Sequence, residues 1–286
     1  MLDRTVYVEP FWRIDMSVMV VLAGCGNMGF AMLSGWLKSG KLLPAEVFVV
    51  EPNAELRERA AKLGAATAAS AAELPADSAP VLVIFAVKPQ VMRDVVPGYA
   101  RFAAGGTTFL SIAAGISMAV FEELLGKSAA IVRSMPNTPA AIGKGMMVVV
   151  SNRNVGDKAK AFVADLLSAS GEVATIDDEG LMDAVTAVSG SGPAYIFHFI
   201  EALTVAAERA GLPTDTAKLL AMQTVYGAAS LAAESREDPG TLRKQVTSPN
   251  GTTAAALGVL MGEDRLTKLL TEAVDAARLR SIELGK

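Results

Sequence analysis

The sequence predicts an α/β domain, a parallel sheet wound with helices on both faces, followed by an all-helical domain. Three observations point there. Short apolar, β-branched runs alternate with longer Ala/Leu-rich segments, a glycine-rich turn joins the first run to the first helical segment, and the strand pattern stops near residue 178.

The strand runs are Val18–Ala23, Val47–Glu51, Val81–Ala86, Thr107–Ile112, Ala130–Arg133, Met146–Val150 and Val173–Ile176. Helical spacing fills Met28–Ser39, Ala54–Leu63, Gln90–Ala100, Met118–Leu125 and Gly156–Ala169. A run as continuous as Val81–Ala86 fits a strand buried on both sides. Past residue 178, Leu181–Ala210 reads as a long helix interrupted by Gly190-Ser191-Gly192-Pro193. Gly211-Leu212-Pro213 breaks the chain, with Thr214 expected as the next N-cap. Ala217–Glu234, Ala254–Leu260 and Leu266–Leu284 complete the helices. The expected organisation is an extension at 1–15, an α/β domain at 16–178 and a helical domain at 179–286. Helices this apolar need partners, so a dimer built from them is expected.

Composition narrows the function. The 286 residues are 51% hydrophobic and 20% charged, which excludes intrinsic disorder. Lys+Arg total 26 against 30 Asp+Glu, a net charge of -4, so no nucleic-acid partner is expected. One Cys and one His exclude internal disulfides, Cys clusters and multi-His zinc sites, and no metal is expected. Met16–Leu37 lacks charge but is interrupted by Gly24, Gly26, Asn27, Gly29 and Gly35, so it is no membrane helix. Leu22-Ala23-Gly24-Cys25 has the form of a lipoprotein cleavage box. Its leader sets Arg4 and Arg13 against Asp3, Glu9 and Asp15, which is not the basic leader a signal requires. A cytoplasmic enzyme without membrane contact is therefore expected, with the first strand opening near Met16.

The glycine turn Gly24-Cys25-Gly26-Asn27-Met28-Gly29 is a G-x-G-x-x-G between the first strand and the first helix. Gly24 permits a tight turn, Gly26 lets backbone approach a pyrophosphate, and Gly29 lets the helix pack closely on the strand. This is the fingerprint of a Rossmann-type dinucleotide site. Glu51 ends the second strand about 20 residues further on, where an acid accepts hydrogen bonds from the adenosine ribose. Its charge leans toward NADH over NADPH, an effect softened by Asn53 and Arg57, and a solvated acid at a strand end stays open as the plain alternative. Ala86-Val87-Lys88-Pro89 and Ala113-Ala114-Gly115 follow two further strands toward the same sheet edge. Small residues there leave room for a flat ring and ribose, and Lys88 is either a ribose or phosphate contact or an ordinary solvated lysine.

In the second half, Val246–Leu257 is a polar turn leading into an Ala-rich helix. Hydroxyls at Thr247, Ser248, Thr252 and Thr253 exceed what one N-cap requires, and free N–H groups at a helix start hold a carboxylate. A well-capped helix is the competing reading. Gly190–Pro193 suggests close backbone packing or a kink near a ligand. Ser191 has no evident base. His198, among Tyr195, Phe197 and Phe199, reads as a core or interface histidine, and Cys25 as part of the glycine turn rather than a nucleophile.

In order along the chain, the glycine turn, Ala86-Val87-Lys88-Pro89, Ala113-Ala114-Gly115, Met135-Pro136-Asn137-Thr138-Pro139, Ser189–Tyr195 and Thr247–Thr253 resemble pyrroline-5-carboxylate reductase. The resemblance covers about residue 17 to the C-terminus. It implies a Rossmann domain followed by a helical domain that interlocks with a second subunit, with dimers assembling further into decamers. It implies reduction of the cyclic imine to L-proline with NADPH or NADH. It places the substrate at Ser248–Thr253, against the nicotinamide. Thr253 corresponds to the group on the imine nitrogen, and Ser248, Gly251 and Thr252 to the carboxylate holders. Glu179 aligns with an acid near the substrate ring. Gln245 stands where relatives often carry Asn near the cofactor, and Glu51 where many have a small hydroxyl residue. Iminium chemistry needs no strong acid, which suits a chain with one His. The alternatives are a β-hydroxyacid dehydrogenase, disfavoured because Pro193–Glu201 lacks the expected Lys, and a nucleotide-binding module without catalysis.

Overall fold

The computed structural model describes residues 19–285. The expected extension 1–15, Met16 and the strand start at Val18 lie outside the described residues. The chain divides into two compact units, one reaching to Met182 and the other spanning Asp183–Leu284.

The first unit is built from β1 (Val20–Ala23), α1 (Asn27–Ser39), β2 (Val47–Val50), α2 (Ala54–Ala61), β3 (Ala66–Ala68), β4 (Leu82–Phe85) and α3 (Met92–Val95). It continues through β5 (Thr108–Ser111), α4 (Met118–Leu125), β6 (Ala130–Met135), β7 (Gly145–Ser151), α5 (Asp157–Ser168) and β8 (Gly171–Thr175). The strands form one sheet in the order β3-β2-β1-β4-β5-β6-β7-β8. Alternate residues of β1 serve opposite faces: Val20 and Leu22 join Met32, Trp36 and Leu166, whereas Val21 and Ala23 join Val83, Tyr99 and Phe121. Both faces are covered, which is why the strands are apolar throughout. Phe85 centres the second face, edge-on to Tyr99 at 5.4 Å and stacked on Phe121 at 5.8 Å. Burial raises the Tyr99 hydroxyl well above its ordinary pKa.

In this unit three features differ from the sequence expectation. The sheet is not wholly parallel, because β7 runs antiparallel to β6. The connection between them holds only a short 3₁₀ turn, Thr138–Ile142, and a parallel return needs a longer crossover. β3 is an additional strand whose residues Ala66-Thr67-Ala68 lack an apolar run. The helix expected at Gln90–Ala100 is broken into a 3₁₀ turn, the single-turn α3 and a 3₁₀ stretch Val96–Gly105. Pro97 there has no N–H for a continuing α-helical ladder.

The chain turns helical again at α6 (Met182–Val185), then α7 (Gly192–Arg209), α8 (Thr214–Ser235), α9 (Pro239–Gln245), α10 (Thr252–Met261) and α11 (Arg265–Leu284). The interruption before α7 is a widened turn in which Ser191 N–H donates to the Thr186 carbonyl at 2.8 Å. Tyr195 Oη donates to the Ala187 carbonyl within it at 3.0 Å. Thr214 is the first residue of α8 and not its cap; Pro213 takes that place, with φ −58°, set by its ring, and an extended ψ of 144°. α9 escaped the sequence reading because Pro239–Gln245 is polar, and Asp238 caps it by accepting from Thr241 N–H. Among the described residues, no helix is long and apolar enough to cross a membrane.

Candidate functional site

At the carboxyl edge of the sheet, Gly24 N–H donates to Val50 O (2.8 Å), Ala86 N–H to Ala23 O (2.8 Å) and Ile112 N–H to Phe85 O (3.2 Å). These bonds gather the turns after β1, β4 and β5, with Glu51 after β2, along one edge. Strand order reverses between β1 and β4, and ligands of open α/β sheets bind at such a switch point.

The glycines differ in what they allow. Gly24 has φ +92°, and a Cβ there would lie 2.7 Å from Val87 Cγ1. A Cβ on Gly29 would lie 2.4 Å from Gly24 O, so this position seats α1 against the strand. Among the described residues, a Cβ on Gly26 would meet no atom within 4 Å. Gly26 also caps α1 without a side-chain hydrogen bond, so N–H groups of the first turn remain open. Free space beside an uncapped helix start fits a pyrophosphate.

Glu51 is buried, and its carboxylate is aimed at backbone: Oε2 accepts from Cys25 N–H at 2.7 Å and Oε1 from Asn53 N–H at 2.9 Å. Arg57 donates to the Glu51 carbonyl at 2.8 Å, and Asn53 Oδ1 caps α2 through Leu56 N–H. Arg59, which the sequence reading passed over, donates from Nη2 to Cys25 O (3.1 Å) and Gly26 O (3.2 Å). Its guanidinium stacks 3.9 Å from the Phe30 ring centre. The Cys25 thiol is pushed up to about 11, chiefly by burial, with Arg59 lowering and Glu51 raising it to a lesser extent. Such a thiol is neutral near pH 7 and unsuited to nucleophilic work. Lys88 is exposed, Ala113 is buried, and Ala114 is half-buried before Gly115 turns the chain at φ +76°.

Glu179 lies in the first unit. Its Oε1 accepts from Met118 N–H at 2.7 Å, capping α4, and from Arg133 Nη1 at 2.5 Å. Arg133 is buried in β6 and was also passed over; an arginine inside an apolar strand is the signal that marks it.

In the second unit, Thr247 Oγ1 donates to Arg243 O (2.6 Å) and Gly251 N–H to Ser248 O (3.1 Å). Asn250 has φ +58°, and a Cβ on Gly251 would lie 2.4 Å from Ser248 Oγ. Thr252 and Thr253 open α10, whose cap Gly251 supplies no side-chain bond. One bend thus carries Ser248, Thr252 and Thr253 at a helix start without a side-chain cap. Gln245 Nε2 donates to Glu237 Oε2 at 2.7 Å. His198 is exposed in the chain, with Nδ1 3.1 Å from Glu201 Oε2. The predicted cofactor residues of the first unit share one edge and the hydroxyl residues share one bend, while Glu179 belongs to the first unit and Gln245 to the second.

A family model described as pyrroline-5-carboxylate reductase dimerisation matches residues 179–284, and one described as NADP oxidoreductase coenzyme F420-dependent matches residues 18–115. The chain is 39% identical over 268 residues to a pyrroline-5-carboxylate reductase of Pseudomonas aeruginosa, covering 93% of this chain and 97% of that protein. It is 40% identical over 273 residues to the Synechocystis enzyme of that name, covering 95% and 100%. Among solved structures it is similar to a pyrroline-5-carboxylate reductase from Coxiella burnetii, with TM-score 0.88 and 33% identity over 94% of this chain and 99% of that one. It is also similar to Plasmodium falciparum pyrroline carboxylate reductase with NADP bound, with TM-score 0.80 and 29% identity over 94% and 98%.

Proposed function

The chain belongs to the pyrroline-5-carboxylate reductase family, and from that membership we propose how its residues divide the reaction. It reduces the C=N bond of 1-pyrroline-5-carboxylate to L-proline, the last step of proline biosynthesis. A bound nicotinamide dinucleotide supplies the hydride.

The Gly24–Gly29 turn, Cys25, Asn27 and Met28 included, cradles the pyrophosphate on the α1 N-terminus. Glu51 and Asn53 face the adenosine ribose. Ala86, Val87, Lys88, Pro89, Ala113 and Ala114 border the ribose and nicotinamide, and Gln245 contributes a further cofactor contact. Ser248, Gly251 and Thr252 hold the substrate carboxylate through hydroxyls and the open N–H groups of α10. Thr253 Oγ1 hydrogen-bonds the imine nitrogen, stabilising the protonated form that accepts hydride. Glu179 acts near the substrate ring. Orientation of ring against imine is the main contribution asked of the protein, and a solvent-derived proton completes the amine.

The observation that supports this reading most is the bend itself, where Ser248, Thr252 and Thr253 flank a helix start that has no side-chain cap. Oxidation of reduced cofactor by the protein is expected with pyrroline-5-carboxylate and not without it. Turnover of a 3-hydroxyacid with oxidised cofactor, or cofactor binding with no turnover, contradicts it.

The Glu51 carboxylate at the ribose corner disfavours a 2′-phosphate, so NADH is preferred over NADPH. Glu51→Ser is expected to raise NADPH use relative to NADH by about tenfold, read as the ratio of kcat/KM values. The chain self-associates through its dimerisation region. Further assembly to a decamer, in the cytoplasm, extends this reading, and sedimentation equilibrium measures the subunit number.

A further inference from the structure

We propose that Arg59 is a cofactor-positioning residue, which aims the glycine turn at the pyrophosphate by holding the two carbonyls on its far side. The proposal rests on reading Gly24–Gly29 as the dinucleotide cradle.

All described peptide bonds are trans. In a trans peptide, the carbonyl of one residue and the N–H of the next point in opposite directions. Arg59 Nη2 takes Cys25 O and Gly26 O together. The N–H groups of Gly26 and Asn27 are thereby turned away from the guanidinium. They belong to the segment where Gly26 leaves space for a ligand and α1 has no side-chain cap. Free glycine backbone samples many conformations, so a turn containing Gly24 and Gly26 does not hold such an orientation by itself. Glu51 fixes the remaining donor of this stretch by accepting Cys25 N–H. An acid and a guanidinium, both reaching in from the second β–α unit, grip successive groups of the turn.

The residue type suits the task. A guanidinium has several donors in a fixed plane and stacks on aromatic faces, and Arg59 meets the Phe30 ring at 3.9 Å while bonding two carbonyls. Holding carbonyl oxygens also draws their negative ends away from incoming phosphates.

The test is titration of the full-length protein with NADH and NADPH, followed by cofactor fluorescence with no imine present. It reads cofactor affinity even if the imine is not the substrate, so its failure is separable from failure of the reductase assignment. Arg59→Met is expected to weaken both cofactors about tenfold. In the reaction, KM for cofactor rises by a similar factor while kcat stays within about twofold. Arg59→Lys recovers part of the loss. Phe30→Leu, which removes the stacking surface and leaves the turn intact, weakens binding in the same direction by a smaller factor and serves if Arg59→Met fails to fold. Folded Arg59→Met or Phe30→Leu protein that binds both cofactors within twofold of the parent overturns the proposal, as does a kcat loss without a change in affinity.

Discussion

The two units bury different kinds of residue. In the α/β unit, Trp36, Tyr99, Phe85, Phe109 and Phe121 are wholly enclosed on the two faces of the sheet. In Asp183–Leu284, the described buried residues are small: Ala187, Ala217, Ala221 and Ser281. Phe197, Leu219, Tyr226 and Leu269 there remain 59%, 68%, 59% and 63% exposed. Apolar burial stabilises by about 25 cal/mol per Å², so the first unit has a core of its own, whereas the second leaves large apolar side chains for self-association to bury. A helix set that leaves its largest side chains outside is built for another copy of itself, in keeping with the dimerisation match.

Charging the exposed face of the helical unit is expected to have the largest effect. Phe197→Glu with Leu219→Glu is expected to dissociate the assembly, lower Tm by about 10 °C or more and abolish turnover. Ile142→Glu, at a 75% exposed apolar position of the α/β unit, is expected to change stability by no more than about 0.5 kcal/mol. Sedimentation velocity and thermal melts read both. A double variant sedimenting like the parent removes the claimed difference.

A second contrast lies inside the first unit, between glycines that pack and glycines that make room. Gly29→Ala drives a Cβ into Gly24 O and is expected to destabilise by about 1–3 kcal/mol. Gly26→Ala meets no atom of the described residues within 4 Å, so its stability stays within about 0.5 kcal/mol. It fills the cradle, however, and NADH affinity is expected to fall about tenfold. Denaturant unfolding beside cofactor titration separates the two.

The smallest effect is expected at Cys25. Its thiol rises from the ordinary 9 to about 11 on folding, so the protonated form is favoured in the native state. The resulting stability is full below pH about 9 and is lost as pH climbs toward 11. At pH 8 on the order of one thiol in a thousand is ionised, so alkylation by iodoacetamide in the folded protein is expected to be far slower than in denaturant. Equal rates contradict the burial of this side chain.

What was legible in the sequence was what local pattern dictates. The apolar runs became β1, β2, β4 and β5, and the glycine turn stands between β1 and α1 because strand, turn and helix signals are contiguous there. β3 stayed hidden because an edge strand of Ala66-Thr67-Ala68 owes its existence to pairing with β2 rather than to its own composition. The direction of β7 follows from a connection length, and the break at Pro97 from one missing donor. At the site, residue types were legible and their partners were not. Glu51 was visible as an acid at a strand end, but its two backbone donors depend on how the turn folds over β2. Arg59 and Arg133 act on Cys25, Gly26 and Glu179, far away in sequence, and no local period announces such pairings.

Thr253→Ala, assayed for turnover of pyrroline-5-carboxylate and, separately, for NADH affinity, tests the role of the Ser248–Thr253 bend. If the bend at Ser248–Thr253 receives the imine, kcat falls on the order of a hundredfold while cofactor affinity stays within about twofold. Unchanged turnover would take the hydroxyl out of the mechanism and contradict the placement of the substrate at this bend.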